Sequence, residues 1–206
     1  MKPVRRLPDS DRKVLYLTFD DGPHPGSTES VLESLSRHQA RATFFVISRK
    51  ARDHAALLSR TVGAGHAIGN HSWDHGYSRF FRGKKALLEW VEQAESSLRE
   101  QLGQPTVGFR PPAGVRTPEL HGALAELQMP LVLWSTRFYD TRFSWTPAKA
   151  LRSLGRARSG DIILLHDRQT AARLPGFIAT LDIYLKSAQA MGFEFEAIDR
   201  TRINCV

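Results

Sequence analysis

Among 206 residues there is one cysteine, Cys205, next to the C-terminus. An internal disulfide is therefore excluded, a thiol nucleophile set inside a pocket is not expected, and a reducing compartment fits best. Long apolar runs are missing too. Nothing approaches the roughly 18 consecutive apolar residues that a membrane-spanning helix needs. The opening segment MKPVRRLPDSDRK carries positive charge with no apolar run behind it, so a secretion signal is not expected. With Met at position 1, the expectation is a cytoplasmic protein, with the inner face of the membrane as the alternative. Internal repeats, low-complexity tracts and long linkers are absent, and residues 1–206 are expected to form a single domain. Acidic residues are outnumbered, 21 against 29 Lys and Arg, for a formal charge of +8. Such an excess suits nucleic acid, an anionic membrane or an acidic substrate. The charge is dispersed, however. Its densest clusters, Arg79 to Lys85 and Arg152 to Gly160, lie beside predicted helices with no nucleic-acid-binding motif, so no nucleic-acid partner is expected.

What the chain does have is alternation. Short β-rich runs at Val14–Phe19, Ala42–Val46, Val107–Arg110, Leu131–Ser135, Asp161–His166 and Phe193–Ile198 read as strands. Helical patterns lie between them. Leu174, Phe177, Ile178, Leu181, Leu185 and Ala188 recur at three- and four-residue intervals, as do Leu87, Val91, Ala94 and Leu98. Further helices are expected over 27–39, 51–65, 117–127 and 146–155, with Pro118 and Pro147 at first helical positions. Strand, helix, strand throughout predicts an α/β fold of mostly parallel strands, as a sheet or a barrel.

In such folds ligands bind at the carboxyl ends of the strands. Asp20 and Asp21 follow the first strand, the segment His66–His75 follows the second helix, Arg110 closes a strand, Asp140 trails another and His166 ends a fifth. Every polar group that looks chemically useful falls on one rim. His71 and His75, four residues apart, are expected to share one face of a helical turn and so to reach one metal ion. Two imidazoles and one carboxylate leave an open position on a zinc-like ion, as catalytic sites require. Two adjacent carboxylates also need neutralising. One aspartate on the ion, and the other beside a cation such as Arg110, answers that need.

The motifs TFDDGP, HSWDH, RPPAG and LLH, in this order over nearly the whole chain, resemble the polysaccharide deacetylase (NodB-homology) family, carbohydrate esterase family four. The resemblance implies a distorted (β/α) barrel that removes acetyl groups from N-acetylated sugars with a divalent metal, usually Zn2+, with Co2+ or Ni2+ as alternatives. It implies Asp20 as general base, Asp21, His71 and His75 as metal ligands, Arg110 as the residue orienting Asp20, and His166 as general acid. The Pro112–Ala113 backbone would help hold the oxyanion and Leu164 would line the acetyl-methyl pocket. Trp134, like Trp73, is a candidate for stacking on a sugar face, with core packing as the alternative.

Two motifs depart from the family. Ala113 stands where a tyrosine is usual, which removes a side-chain contact but not a backbone donor. The fourth motif reads RFYDT, with Arg137 in place of the first acid and Thr141 in place of the tryptophan; Asp140 matches the second acid and is assigned to substrate binding. Without another carboxylate, His166 is expected to be a stronger acid or less well oriented. The expected partner is an N-acetylated carbohydrate or a glycolipid, with the basic surface as a candidate contact for anionic membrane and no obligate protein partner. O-acetyl ester hydrolysis, hydrolysis of another amide, and a metal-binding glycan module without turnover are the competing readings.

Overall fold

The apolar run after the N-terminal segment becomes β1 (Val14–Asp20), in which every residue is buried. The structure is a computed structural model that describes residues 2–8 and 12–203; Cys205 and part of the basic opening segment lie outside them. β2 (Ala42–Val46) is likewise buried throughout, as expected of strands covered on both faces. With β3 (Ala67–Asn70), β4 (Thr136–Arg137) and β5 (Ile162–His166) they form a parallel sheet in the order β3-β2-β1-β5-β4, and β6 (Glu194–Phe195) pairs with the start of β1. Beyond β3 and β4 the sheet continues through single-residue bridges. Phe109 bridges Asn70 on one side and Leu131 on the other, and Val132 bridges Val4. These bridges join the two edges of the sheet and close it into the expected distorted barrel.

The expected strands 107–110 and 131–135 are thus corrected to isolated bridges. Neither run builds a regular ladder: Gly108 sits at φ 147°, and the amides of Val132, Leu133 and Ser135 go to three different partners, the carbonyls of Phe109, Val4 and Ile162, with prolines at 105, 111 and 130 flanking both runs. The run Ala67–Asn70, not among the expected strands, is a strand as well.

Helices cover the outside. α1 (Ser27–Arg37), α4 (Gly83–Leu102), α5 (Pro118–Glu126), α6 (Pro147–Leu154) and α7 (Leu174–Ala190) follow the expected ranges closely, with Pro118 and Pro147 opening their helices. The stripe Leu87, Val91, Ala94 and Leu98 of α4 is buried. α7 buries Phe177, Leu181, Tyr184, Leu185 and Ala188 against the core beneath β1 and β5. The helix expected over 51–65 is two, α2 (Ser48–Asp53) and α3 (Ala55–Gly63), broken at His54, and a short α8 (Arg200–Ile203) ends the described chain. Among the described residues, no helix is long and apolar enough to cross a membrane.

Candidate active site

Because the strands are parallel, their carboxyl ends share one rim, and register decides which side chains meet there. Asp20, the last residue of β1, pairs in register with His166, the last of β5. β3 ends at Asn70, which delivers His71 to the same rim. Asp20, Asp21, His71, His75, Ala113, Trp134, Leu164 and His166 line one cleft of about 650 Å³. Arg110, Pro112 and Asp140 do not line it and are buried.

His71 and His75 do not share a helical turn. The segment after β3 is a loop in which Ser72 (φ 75°) and His75 (φ 61°) adopt left-handed backbone. Their four-residue spacing works through a turn rather than through helical periodicity. Asn70 Oδ1 accepts from Ser72 N–H at 2.8 Å, and Asp74 Oδ1 accepts from Gly76 N–H and from Trp90 Nε1. Asp21 is left-handed too, at φ 78°, and Lys50 Nζ holds it by donating to its carbonyl oxygen at 2.8 Å. Gly22 follows because a Cβ there would collide with the Asp167 carboxylate. Of the seven non-glycine residues with positive φ among the described residues, four (Asp21, His75, Ala113 and Tyr139) line the cleft. Concentrated strain of this kind marks a site whose geometry the fold over-determines.

Asp21 Oδ1 lies 3.3 Å from His75 Nε2 and 3.5 Å from His71 Nε2. Donors about 2.1 Å from a tetrahedral ion stand about 3.4 Å from one another, so these three fit one divalent cation. His71 Nδ1 lies 2.7 Å from the Arg110 carbonyl. Donating its proton there leaves Nε2 unprotonated and aimed at the other donors. Burial opposes the charge on Asp21, yet hydrogen bonds to His71 and His75 and the charges of His71 and His166 in their protonated forms hold its carboxyl far below the usual range. The spot favours positive charge, as a metal centre must.

Asp20 is 3% exposed. Arg110 Nη1 donates to its Oδ1 at 2.7 Å, while its Oδ2 stands 3.8 Å from His71 Nε2 and faces the donor cluster. Arg110 is itself wholly buried. It also donates to Thr18 Oγ1, to the Leu133 carbonyl and to the Val132 carbonyl, and it lies 3.8 Å from the centroid of the Phe45 ring. Phe45 reaches that position because Gly69 on the neighbouring strand has no side chain.

Asp140 does not face the cleft as expected of a substrate-binding residue. It is 2% exposed, and both its oxygens are engaged with His166. The carboxylate missing from position 137 is thereby supplied, so His166 is neither poorly held nor a stronger acid. Burial alone would lower its pKa, but the hydrogen bond and charge of Asp140, with Asp20 and Asp21 adding, lift it to about 9. The turn at Pro112–Gly114 packs against Trp134 through Gly114. Its Gly114 and Val115 amides bond the Pro111 and Pro112 carbonyls, while Ala113 borders the cleft. Sequence reasoning missed Tyr77, Tyr139, Arg168, Gln169, Thr170 and Arg173, which also line it. Tyr77, which opens a 3-10 turn, and Tyr139, in a loop, are half-exposed aromatic residues outside the main helices and strands, the one signal that could have marked them.

The architecture is that of the carbohydrate esterases. The fold superposes on a family 4 carbohydrate esterase from Streptomyces lividans in complex with acetate (TM-score 0.81, 25% identity, 92% of this chain and 94% of that one). It matches the peptidoglycan deacetylase PdaC from Bacillus subtilis equally well (TM-score 0.81, 26% identity, 96% and 94%). The polysaccharide deacetylase family model matches residues 8–132, and the chain belongs to that family. It is 35% identical over 158 residues to the chitooligosaccharide deacetylase of Azorhizobium caulinodans, across 76% of this chain and 75% of that protein. It is 31% identical over 188 residues to the peptidoglycan-N-acetylglucosamine deacetylase PgdA of Listeria monocytogenes, across 91% of this chain. This chain spans 38% of the length of PgdA.

Proposed function

We propose that the chain is a metal-dependent hydrolase that removes N-acetyl groups from an amino-sugar oligosaccharide or glycoconjugate. The convergence of Asp21, His71 and His75, with Asp20 on one side and His166 in register with it, carries this reading. The names of the relatives, peptidoglycan and chitooligosaccharide deacetylases, support the substrate class.

An amide has a weak electrophile and a poor leaving group, so its hydrolysis needs an activated water, a stabilised oxyanion and a proton for the departing nitrogen. Asp21, His71 and His75 would hold a divalent ion, most simply zinc, which when bound acts as a Lewis acid and lowers the pKa of water to about 7. Asp20, fixed by the hydrogen bond from Arg110, accepts the proton of the attacking water. The Ala113 N–H faces the developing oxyanion, a contribution of about 3 kcal/mol in comparable sites. His166, whose protonated form Asp140 favours, then gives its proton to the leaving amine. Leu164 borders the space for the acetyl methyl group.

The test is acetate release from N-acetylated oligosaccharides. Release should vanish with chelator, return with zinc or cobalt, and fall by at least about a thousandfold in Asp20→Asn. Sugar binding without turnover in the parent protein would overturn the hydrolase reading in favour of a binding module.

A further inference from the structure

The mechanism uses none of three cleft arginines, Arg137, Arg168 and Arg173. We propose that they form a subsite for an anionic group, a phosphate or a carboxylate, carried by the N-acetylated sugar, so that charged substrates are preferred over neutral ones. The proposal rests on the deacetylase reading and narrows its substrate class.

Each carboxylate at or beneath this rim is already engaged: Asp20 with Arg110, Asp21 with His71 and His75, Asp140 with His166 and Gln169, and Asp167 with Thr28. None of the three arginines has a carboxylate within 4.0 Å among the described residues, a condition that outer-surface arginines such as Arg49 and Arg152 share; what sets the three apart is that they line one cleft. Neutral groups hold two of them instead. Arg173 donates to the Thr141 carbonyl at 3.0 Å and to the Arg142 carbonyl at 3.5 Å. Arg137 lies 4.0 Å from the centroid of the Tyr139 ring, donates to the Tyr139 hydroxyl, and stands 5.8 Å from the centroid of Trp134.

Neutral partners fix a guanidinium without cancelling its charge, which is the condition for recognising an incoming oxyanion. A divalent ion on Asp21 would leave the cleft more positive still. Arg137 occupies the position where the fourth motif usually carries an acid, so this wall of the cleft has reversed its sign. A cleft of about 650 Å³ has room for a substituted sugar beyond the acetamido group.

Acetate release should be compared for a neutral N-acetylhexosamine oligosaccharide, its phosphate ester and a carboxylate-bearing counterpart, with the parent and the Arg137→Gln/Arg173→Gln protein. At least a tenfold higher kcat/KM is expected for one anionic substrate, and the two anionic arms identify which group is read. The advantage should shrink as salt rises and collapse in the double variant. Acetate release with no anionic advantage, or an advantage that the substitutions leave intact, overturns the subsite while the deacetylase reading stands. Calorimetric titration with N-acetylglucosamine 1-phosphate and with N-acetylglucosamine reads the subsite apart from turnover. Tenfold tighter binding of the phosphorylated sugar, or of a carboxylate-bearing N-acetylhexosamine titrated in the same way, supports it even where no substrate releases acetate, the result that would sink the deacetylase reading alone; equal binding of all three sugars overturns it.

Discussion

Asp140 grips His166 with both carboxylate oxygens: Oδ1 lies 2.9 Å from the ring Nδ1, and Oδ2 accepts the backbone N–H of the same residue at 2.9 Å. The imidazole is fixed at its base, and Nε2 is left as the nitrogen that can exchange a proton in the cleft. Gln169 Nε2 steadies the arrangement by donating to Asp140 Oδ2 at 3.1 Å.

A general acid works only while protonated, so activity should fall as pH rises through the His166 pKa. Burial pulls that pKa down, and Asp140, Asp20 and Asp21 together raise it to about 9. A cation on Asp21 would cancel part of this, so the alkaline limb of the loaded enzyme should lie above 6.5 and below about 9. In Asp140→Asn the largest raising influence is gone, and the limb should move at least about one unit toward lower pH. The profile of kcat/KM against pH measures this. An unmoved limb would show that another group sets it.

The Asp20–Arg110 pair depends on residues that touch no substrate. Arg110 is wholly buried, and its replacement by Met should cost about 3–5 kcal/mol of stability, because it strands the Asp20 charge. Gly69→Ala is a milder probe. The added methyl would push against the Phe45 ring, on which the Arg110 guanidinium rests. Activity should fall about tenfold or more while metal binding, followed by cobalt absorption, persists. Loss of both together would mean that the barrel itself had given way.

How much of this was legible in the sequence follows from how local each signal is. β1 and β2 announce themselves as apolar runs bounded by turns, and Asp20, Asp21 and His166 are placed simply by ending strands. β3 was missed because Ala67–Asn70 is four residues long and contains a glycine. Val107–Arg110 and Leu131–Ser135 looked like strands because composition is visible and the partner that each amide takes is not. The convergence of His71 and His75 was expected, but through a helical turn. The left-handed backbone at Ser72 and His75 depends on Asn70 and Asp74 acting as local hydrogen-bond partners, which no periodicity reveals. The role of Asp140 was hidden because motif position says which residues are present and not which way a carboxylate turns.

Metal binding should be visible as stability. A ligand that binds only the folded chain, at about 100 times its Kd, adds about 2.7 kcal/mol, equivalent to roughly 5–10 °C in Tm for a chain of this size. Zinc should produce such a rise in the parent protein and little of it in Asp21→Ala or His75→Ala. His71→Ala should lower the starting Tm as well, since it also gives up the bond to the Arg110 carbonyl. Equal rises in the parent and in Asp21→Ala would place the ion elsewhere.

His66 should set part of the acid limit of the fold. It is 7% exposed, its Nδ1 accepts the Ala42 N–H at 3.1 Å, and its ring packs edge-on against Phe44. An accepting nitrogen must be unprotonated. Burial, with the nearby Arg41 charge adding, pushes the His66 pKa down to about 4. The unfolded chain takes up this proton near pH 6.5 and the folded chain only near 4, so stability is lost as pH falls through that window. The loss attributable to this one residue is about 3 kcal/mol. Gln can also accept the Ala42 N–H without titrating, so His66→Gln should start less stable at pH 7 and lose about 3 kcal/mol less on the way to pH 4. Urea unfolding at both pH values, in parent and variant, measures the difference. Parallel losses would mean that His66 takes up its proton in the folded state without cost.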